Sequence, residues 1–393
     1  MRCDALHAIQ TGAEAEFVPF GPADDEPVAL VQSFGQYEAE YAAIRKGVGI
    51  LHEPQRGVLQ LTGADVRDFL HRLTTQKVND MTGGQSRRMF QLNVKGRIEA
   101  DMFVHFGDQS TWIDADRCDL TGLAALYDSR LFTEDVKIED QRDARIAVSL
   151  HGPAAIDLLR AVSDDSARRM FDMPGTHHVI PIGDARVSAY RHDACGVPGV
   201  RLWLPSDDAP AIYLRLADAV GGVTPDVDAD APGGGAKRAI KGRGVGWLAF
   251  NTARIEAGAP IHHIDFGPDT IPAETGPLFD DAVSLTKGCY LGQEIVARMH
   301  ALGHPKRVLC GLMFDDERLP VAGSAVYQPS DDDRSPSDVI GGVTSSTLSP
   351  MLGGRAIAFA MMKWGRHKPD TPIAAPAEGA FVNGRVHAMR FLK

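Results

Sequence analysis

The clearest order in the chain is a recurring exchange of apolar and polar positions. In VLQLTGADVRDFLHRL (Val58–Leu73) apolar and polar residues alternate up to a glycine. Beyond it, Val66, Phe69, Leu70 and Leu73 fall on one helical stripe. The pattern predicts a strand, a turn at Gly63 and a helix, with Thr62 and Asp65 spaced as a capping box. AVSLHGPAAIDLLRAV (Ala147–Val162) repeats it: Leu61, Gly63, Asp68 and Leu70 match Leu150, Gly152, Asp157 and Leu159. Pro153 suits the first turn of the second helix. Two related α/β modules are therefore expected.

Further strands are predicted at Met89–Val94, Ala100–Phe106, Val187–Arg191 and Val200–Pro205, with helices near Gly122–Leu131 and Ala209–Ala219. Strands separated by helices favour a mixed α/β or α+β architecture. The acidic, Pro- and Gly-rich Thr224–Arg238 reads as a linker, and GRGVGW (Gly242–Trp247), which lacks phosphate-loop spacing, as a turn. From Lys306 the short runs RVLCGLMF, SAVYQ, VIGGVTSST, AIAFAMM and GRVHAMRF predict a small C-terminal β-barrel or sandwich. Ser330–Asp338 forms a solvated loop between two of them. The expected organisation is an extension over 1–35, two repeated modules over 36–240 dividing near 140–146, a return segment over 241–303 and a barrel over 304–393.

Bulk properties narrow the classes. At 393 residues the chain is too long for one compact core. A formal charge of −11 argues against a general nucleic-acid binder and against attachment to an anionic membrane surface. No apolar run approaches the roughly 20 residues of a membrane span. Asp4, His7 and Glu14 interrupt the N-terminus, which does not read as a signal peptide. Five scattered cysteines without a C-x-x-C pair indicate neither a disulfide framework nor a zinc ribbon, and a reducing cytoplasm is expected.

Candidate chemistry concentrates in KGCYLGQEIVAR (Lys287–Arg298). Cys289 could be a nucleophile served by His300 or His304 and tuned by Lys287 or Arg298, or simply a small hydrophobe. No metal site is expected. Gly303 and Pro305 break the spacing of His300 and His304, and the pairs His177–His178 and His262–His263 lack accompanying ligand patterns in the sequence. In NTARIEAGAPIHHIDF a buried Glu256 could grip an amidine-like edge such as a pterin's; an exposed one would merely pair with arginine. Asp101, beside the apolar run Met102–Phe106, could accept a proton or steady an iminium cation.

Taken together these stretches resemble the glycine cleavage T-protein (GcvT) superfamily, and more narrowly its YgfZ branch of folate-binding proteins linked to iron–sulfur cluster assembly and repair. KGCYLGQE is similar to the YgfZ signature K-G-C-Y-x-G-Q-E. RIEAGAPIHHIDF, IPAETGP, QLNVKGRIEADMFV and GGVTSSTLSPMLGGRAIAFAMM resemble segments of the wider superfamily, from about Glu40 onward. The resemblance implies two interleaved ferredoxin-like modules and a C-terminal barrel in three lobes around a folate channel. It implies tetrahydrofolate as cofactor and iron–sulfur client or assembly proteins as partners. Glu256 becomes the expected pterin anchor, with Arg254, Asn93, Tyr290 and Arg298 around the folate and Lys287 near its glutamate tail. Asp101 and Cys289 become the candidates for chemistry, although Ala100 stands where aminomethyltransferases carry a second acid. A tetrahydrofolate-dependent aminomethyltransferase and a Cys289-dependent thiol enzyme are the alternatives.

Overall fold

The computed structural model describes every residue except 23–24, 108–109, 164–170, 172, 223–238, 330–337 and 393. The linker expected at 224–238 and nearly all of the loop expected at 330–338 lie outside the described residues. Two compact units emerge. The first holds Met1–Arg67, Asp80–Arg87 and Met102–Phe250; the second holds Asp68–Asn79, Arg88–Asp101 and Asn251–Lys393.

The chain opens with α1 (His7–Gly12), an antiparallel hairpin of β1 (Glu16–Phe20) and β2 (Val28–Ser33), α2 (Tyr37–Lys46) and β3 (Val48–His52). The segment set apart as an extension is thus folded, with Val28–Val31 of β2 buried. The internal repeat follows. Its first copy comprises β4 (Arg56–Thr62), α3 (Val66–Leu73), β5 (Gln85–Leu92), β6 (Ile98–Phe106), β7 (Thr111–Asp116), α4 (Leu120–Asp128) and β8 (Lys137–Asp140). The second comprises β9 (Arg145–His151), α5 (Ala155–Val162), β10 (His177–Ile182), β11 (Ala185–Arg191), β12 (Gly199–Pro205), α6 (Ala209–Ala219) and β13 (Gly242–Val245). The sheets run β5-β6-β7-β4-β8 and β10-β11-β12-β9-β3-β13, one strand order used twice with β3 inserted in the second.

The paired glycines explain why the repeat is visible. Gly63 and Gly152 have φ of 124° and 141°, a region costly for residues with a Cβ. A Cβ there would also lie 2.0 Å from Asp135 O and 2.2 Å from Gly47 O. The expected capping box does not form. Helix α3 starts at Val66, and the Asp65 carboxylate accepts from Asp135 N at 2.8 Å. The GRGV of GRGVGW is a strand rather than a turn, since β13 pairs in parallel with β3. Its glycines reflect close approach, because a Cβ on Gly242 would stand 2.3 Å from Val48 O. Apolar alternation along β9 and β12 buries Val148, Leu150, Leu202 and Leu204 against Leu158, Leu159 and Leu216.

In the second unit lie most of α7 (Trp247–Ala257), then α8 (Leu278–Ala282) and α9 (Gln293–Leu302). After them come β14 (Arg307–Phe314), β15 (Ala325–Tyr327), β16 (Val339–Ser349), β17 (Arg355–Lys363), β18 (Pro372–Ala377) and β19 (Ala380–His387). The six strands close into a barrel in the order β14-β17-β16-β15-β18-β19, filled by Leu312, Phe314, Val326, Ile340, Ile373 and Val382 among others. Strand β18 escaped the sequence reading because its two prolines argue against a strand. Among the described residues no helix is long and apolar enough to cross a membrane.

Candidate functional site

Glu256 and Thr252 lie four residues apart on α7 and so share one face. Facing them, β16 presents Ser345, Thr347 and Ser349, alternate and buried. Thr252 Oγ1 and Thr347 Oγ1 are 2.7 Å apart, and the Ser349 hydroxyl donates to Glu256 Oε1. The register of β16 shifts between Val343 and Ser345. Thr344 and Ser345, which a regular strand would point to opposite faces, therefore both donate to Asp265 Oδ1, at 2.9 and 2.5 Å. Asp265 Oδ2 accepts from Arg254 Nη1 at 2.6 Å and Ile261 N at 2.9 Å. Arg254 and Glu256 are 0% exposed. Glu256 O accepts from Phe391 N and Leu392 N, at 3.0 and 3.2 Å.

A carboxylate oriented by a hydroxyl in this way is the acceptor that a pterin's N–H and amine edge requires, so the donor set suits the group. Contact with it requires access to an enclosed side chain. A cavity of about 340 Å³ in the same unit is lined by His263, Asp265, Asp269, Thr270, Arg307 and Thr344, with Glu256 absent from its wall.

Lys287, Gly292 and Gln293 anchor the KGCYLGQE loop. Lys287 Nζ donates to the carbonyls of His71, Thr74 and Gln76, at 2.6, 2.5 and 3.1 Å. Burial pushes its pKa down to about 7, while three carbonyl acceptors favour the ammonium and oppose that shift. Its three hydrogens are thereby engaged by backbone carbonyls of residues 71–76. Gly292, with φ of 80°, lets the loop meet the β5–β6 turn, since a Cβ there would stand 2.6 Å from Asn93 O. Asn93 Oδ1 shapes that turn by accepting from Lys95 N and Arg97 N, at 2.9 and 3.2 Å. Gln293 Oε1 accepts from Tyr290 N at 3.0 Å, and burial raises the Tyr290 phenol to about 12. Cys289 and Arg298 are exposed. Among the described residues Cys289 Sγ has no hydrogen-bond partner, and neither His300 nor His304 is hydrogen-bonded to it.

Asp101, on β6, is 7% exposed. Arg88 on β5 grips it as a fork, Nε to Oδ1 at 2.9 Å and Nη2 to Oδ2. The adjoining Ala100 is buried and brings no second acid.

A buried polar network in the first unit was missed by the sequence reading. Arg201 on β12 donates to Glu53 Oε2 and Oε1 at 2.8 and 2.7 Å, to Asp114 Oδ2 at 2.8 Å and to Tyr190 Oη at 2.7 Å. Arg56 Nη2 reaches Asp114 Oδ1 at 2.6 Å. Burial alone would raise the Asp114 carboxyl, but Arg56 and Arg201 bring it down to about 2. These residues come from separate stretches near 53–56, at 114 and over 190–201, and match no motif; a buried charge set of this kind becomes legible only through tertiary pairing.

A mixed α/β chain ending in a closed six-stranded barrel is the architecture of a known class. The family described as the GCVT N-terminal domain matches residues 6–225, and the glycine cleavage T-protein C-terminal barrel domain matches residues 307–393. The chain belongs to the glycine cleavage T-protein family. The match begins well before Glu40 and takes in the N-terminal hairpin. The chain is 24% identical to an aminomethyltransferase of Prosthecochloris aestuarii, spanning 100% of this chain and 99% of that one. It is 25% identical to the aminomethyltransferase of Chlorobium luteolum, with the same coverage. The crystal structure of the glycine cleavage system aminomethyltransferase T from Bartonella henselae superposes with a TM-score of 0.81 at 20% identity, covering 98% of this chain and 97% of that one, and shares the fold. Aminomethyltransferases of this family use tetrahydrofolate.

Proposed function

We propose that this protein is a tetrahydrofolate-dependent one-carbon transferase of the aminomethyltransferase type, receiving the methylene unit of an aminomethylated carrier with release of ammonia and the free carrier. The observation that carries the reading is the full-length likeness to aminomethyltransferases across both family domains. Two buried carboxylates support it. Glu256, oriented by Ser349, offers acceptor oxygens to a pterin edge, and Asp101, held by Arg88, can face a developing positive charge. The assay uses aminomethylated carrier protein and tetrahydrofolate, with calorimetric titration of the folate alongside. Folate-dependent ammonia release is expected, falling by about 100-fold in Asp101→Asn. Folate binding without ammonia release overturns the transferase reading.

That outcome would favour a second reading, the YgfZ-like role in iron–sulfur cluster maintenance. It draws on the exposed Cys289 of the KGCYLGQE loop, anchored at Lys287 by backbone carbonyls, and on Ala100 in place of a second acid. Loss of iron–sulfur enzyme activity with Cys289→Ser, folate binding being kept, is its expected signature.

A further inference from the structure

One end of the barrel carries a surface that neither reading uses. Lys306 precedes β14 and Lys363 ends β17, where Arg307 and Lys363 are register partners. Trp364 N donates to Lys306 O at 2.9 Å, and Arg366 N to Lys363 O at 3.0 Å, so the following turn is tied to the barrel rim. The Trp364 side chain is 42% exposed. Two imidazoles pack against it: His304 is parallel at 4.8 Å and 3°, His367 tilted at 4.6 Å and 36°. Around this ring ladder Lys306, Lys363, Arg366 and Lys368 are all exposed. None of the four forms an ion pair among the described residues, on a chain whose formal charge is −11.

Scattered surface lysines need no explanation; an exposed tryptophan braced by two rings among unpaired cations does. Tryptophan and arginine are the side chains most enriched at interface hot spots. A ladder already ordered loses little entropy when a partner arrives. The imidazoles occupy stacking surface on the indole, which disfavours a nucleobase platform. The acidic remainder of the chain repels a long polyanion. In the turn Lys363–Lys368 Trp364 is the one large apolar side chain, which disfavours a lipid surface.

We propose that this rim, centred on Trp364 and Arg366, docks a partner protein through an acidic segment carrying an apolar side chain. The proposal is independent of the folate chemistry, and its test contains no folate. A fluorescent Glu/Asp-rich peptide bearing two leucines is titrated into the full chain, beside single-stranded DNA and phosphatidylserine vesicles. The peptide is expected to bind most tightly and to weaken about tenfold in Arg366→Glu/Lys368→Glu and several-fold in Trp364→Ala, with melting temperatures unchanged. High salt should weaken it comparably. Binding indifferent to these substitutions, absent altogether, or tighter to DNA or vesicles overturns the proposal. So does binding that appears only after Asp331, Asp332 and Asp333 are changed to asparagine, because the chain's own acidic run would then be the occupant.

Discussion

His151 sits wholly enclosed in the first unit, beside Phe250, with neither ring nitrogen hydrogen-bonded. Burial holds its pKa down at about 4, against opposing pulls from Glu53 and Asp193. His105, whose Nδ1 meets Ser86 Oγ at 2.7 Å, is likewise held well below its ordinary value, by burial first and then by His177. Both rings are therefore neutral in the folded chain while the unfolded chain takes up protons near pH 6.5. More protons bind the unfolded state between the two values, so stability is lost as pH falls from about 6.5 toward 4. For His151 the loss is on the order of 3 kcal/mol at most. Asp114, at about 2, loses its contribution only in stronger acid, so the two limbs separate. His151→Leu should leave the melting temperature at pH 7 within a few degrees and flatten the decline between pH 6.5 and 4.5. An unchanged acid limb would show that other groups carry it.

Packing of α7 on β16 is the element on which Glu256 depends. Thr252 and Thr347 share one hydrogen bond across it. Removing either hydroxyl takes this hydrogen bond away from the buried interface, whereas replacing both with valine removes the polar pair together. Thr347→Val alone should cost about 1–2 kcal/mol, and Thr252→Val/Thr347→Val should cost less than the sum of the single changes. Additive losses in denaturant titrations would mean that the two hydroxyls are not coupled. Elements with local patterns were legible in the sequence. The stretches Ala209–Ala219 and Arg307–Phe314 are a helix and a strand with the expected bounds, because periodicity and flanking turns are written locally. Strands built on glycine or proline, β13 and β18, were not, since their reasons lie in the neighbours their backbones touch. The site divides the same way. The sequence suggested buried carboxylates at Glu256 and Asp101, and both are buried, yet the Asp265 clamp needs a strand irregularity, and the Lys287 contacts join residues more than 200 positions apart.

At the scale of the chain, the second unit is assembled from three stretches, and the two short ones cannot be spared. Phe90, Leu92 and Ile98 pack with Ile255, Phe266, Leu278, Val296 and Phe359. Thr75 Oγ1 donates to Ala282 O at 2.7 Å, Ser284 N to Thr75 O at 2.9 Å, and Ile98 N to Thr270 O at 2.9 Å. Burying those three apolar side chains alone contributes roughly 5–9 kcal/mol, comparable to the whole stability of a domain. The barrel interior, by contrast, draws only on Cys310–Val386. A fragment spanning 247–393, which keeps α7 whole, should therefore keep slow amide exchange in β14, β16 and β17 while α7 and α9, deprived of residues 68–79 and 88–101, exchange freely. Supplying those upstream stretches by using the full chain restores protection in both helices. Equal protection of α7 and α9 in fragment and full chain would mean that the upstream stretches merely decorate the unit, and the placement of Glu256 would then have to be explained from residues after 246 alone.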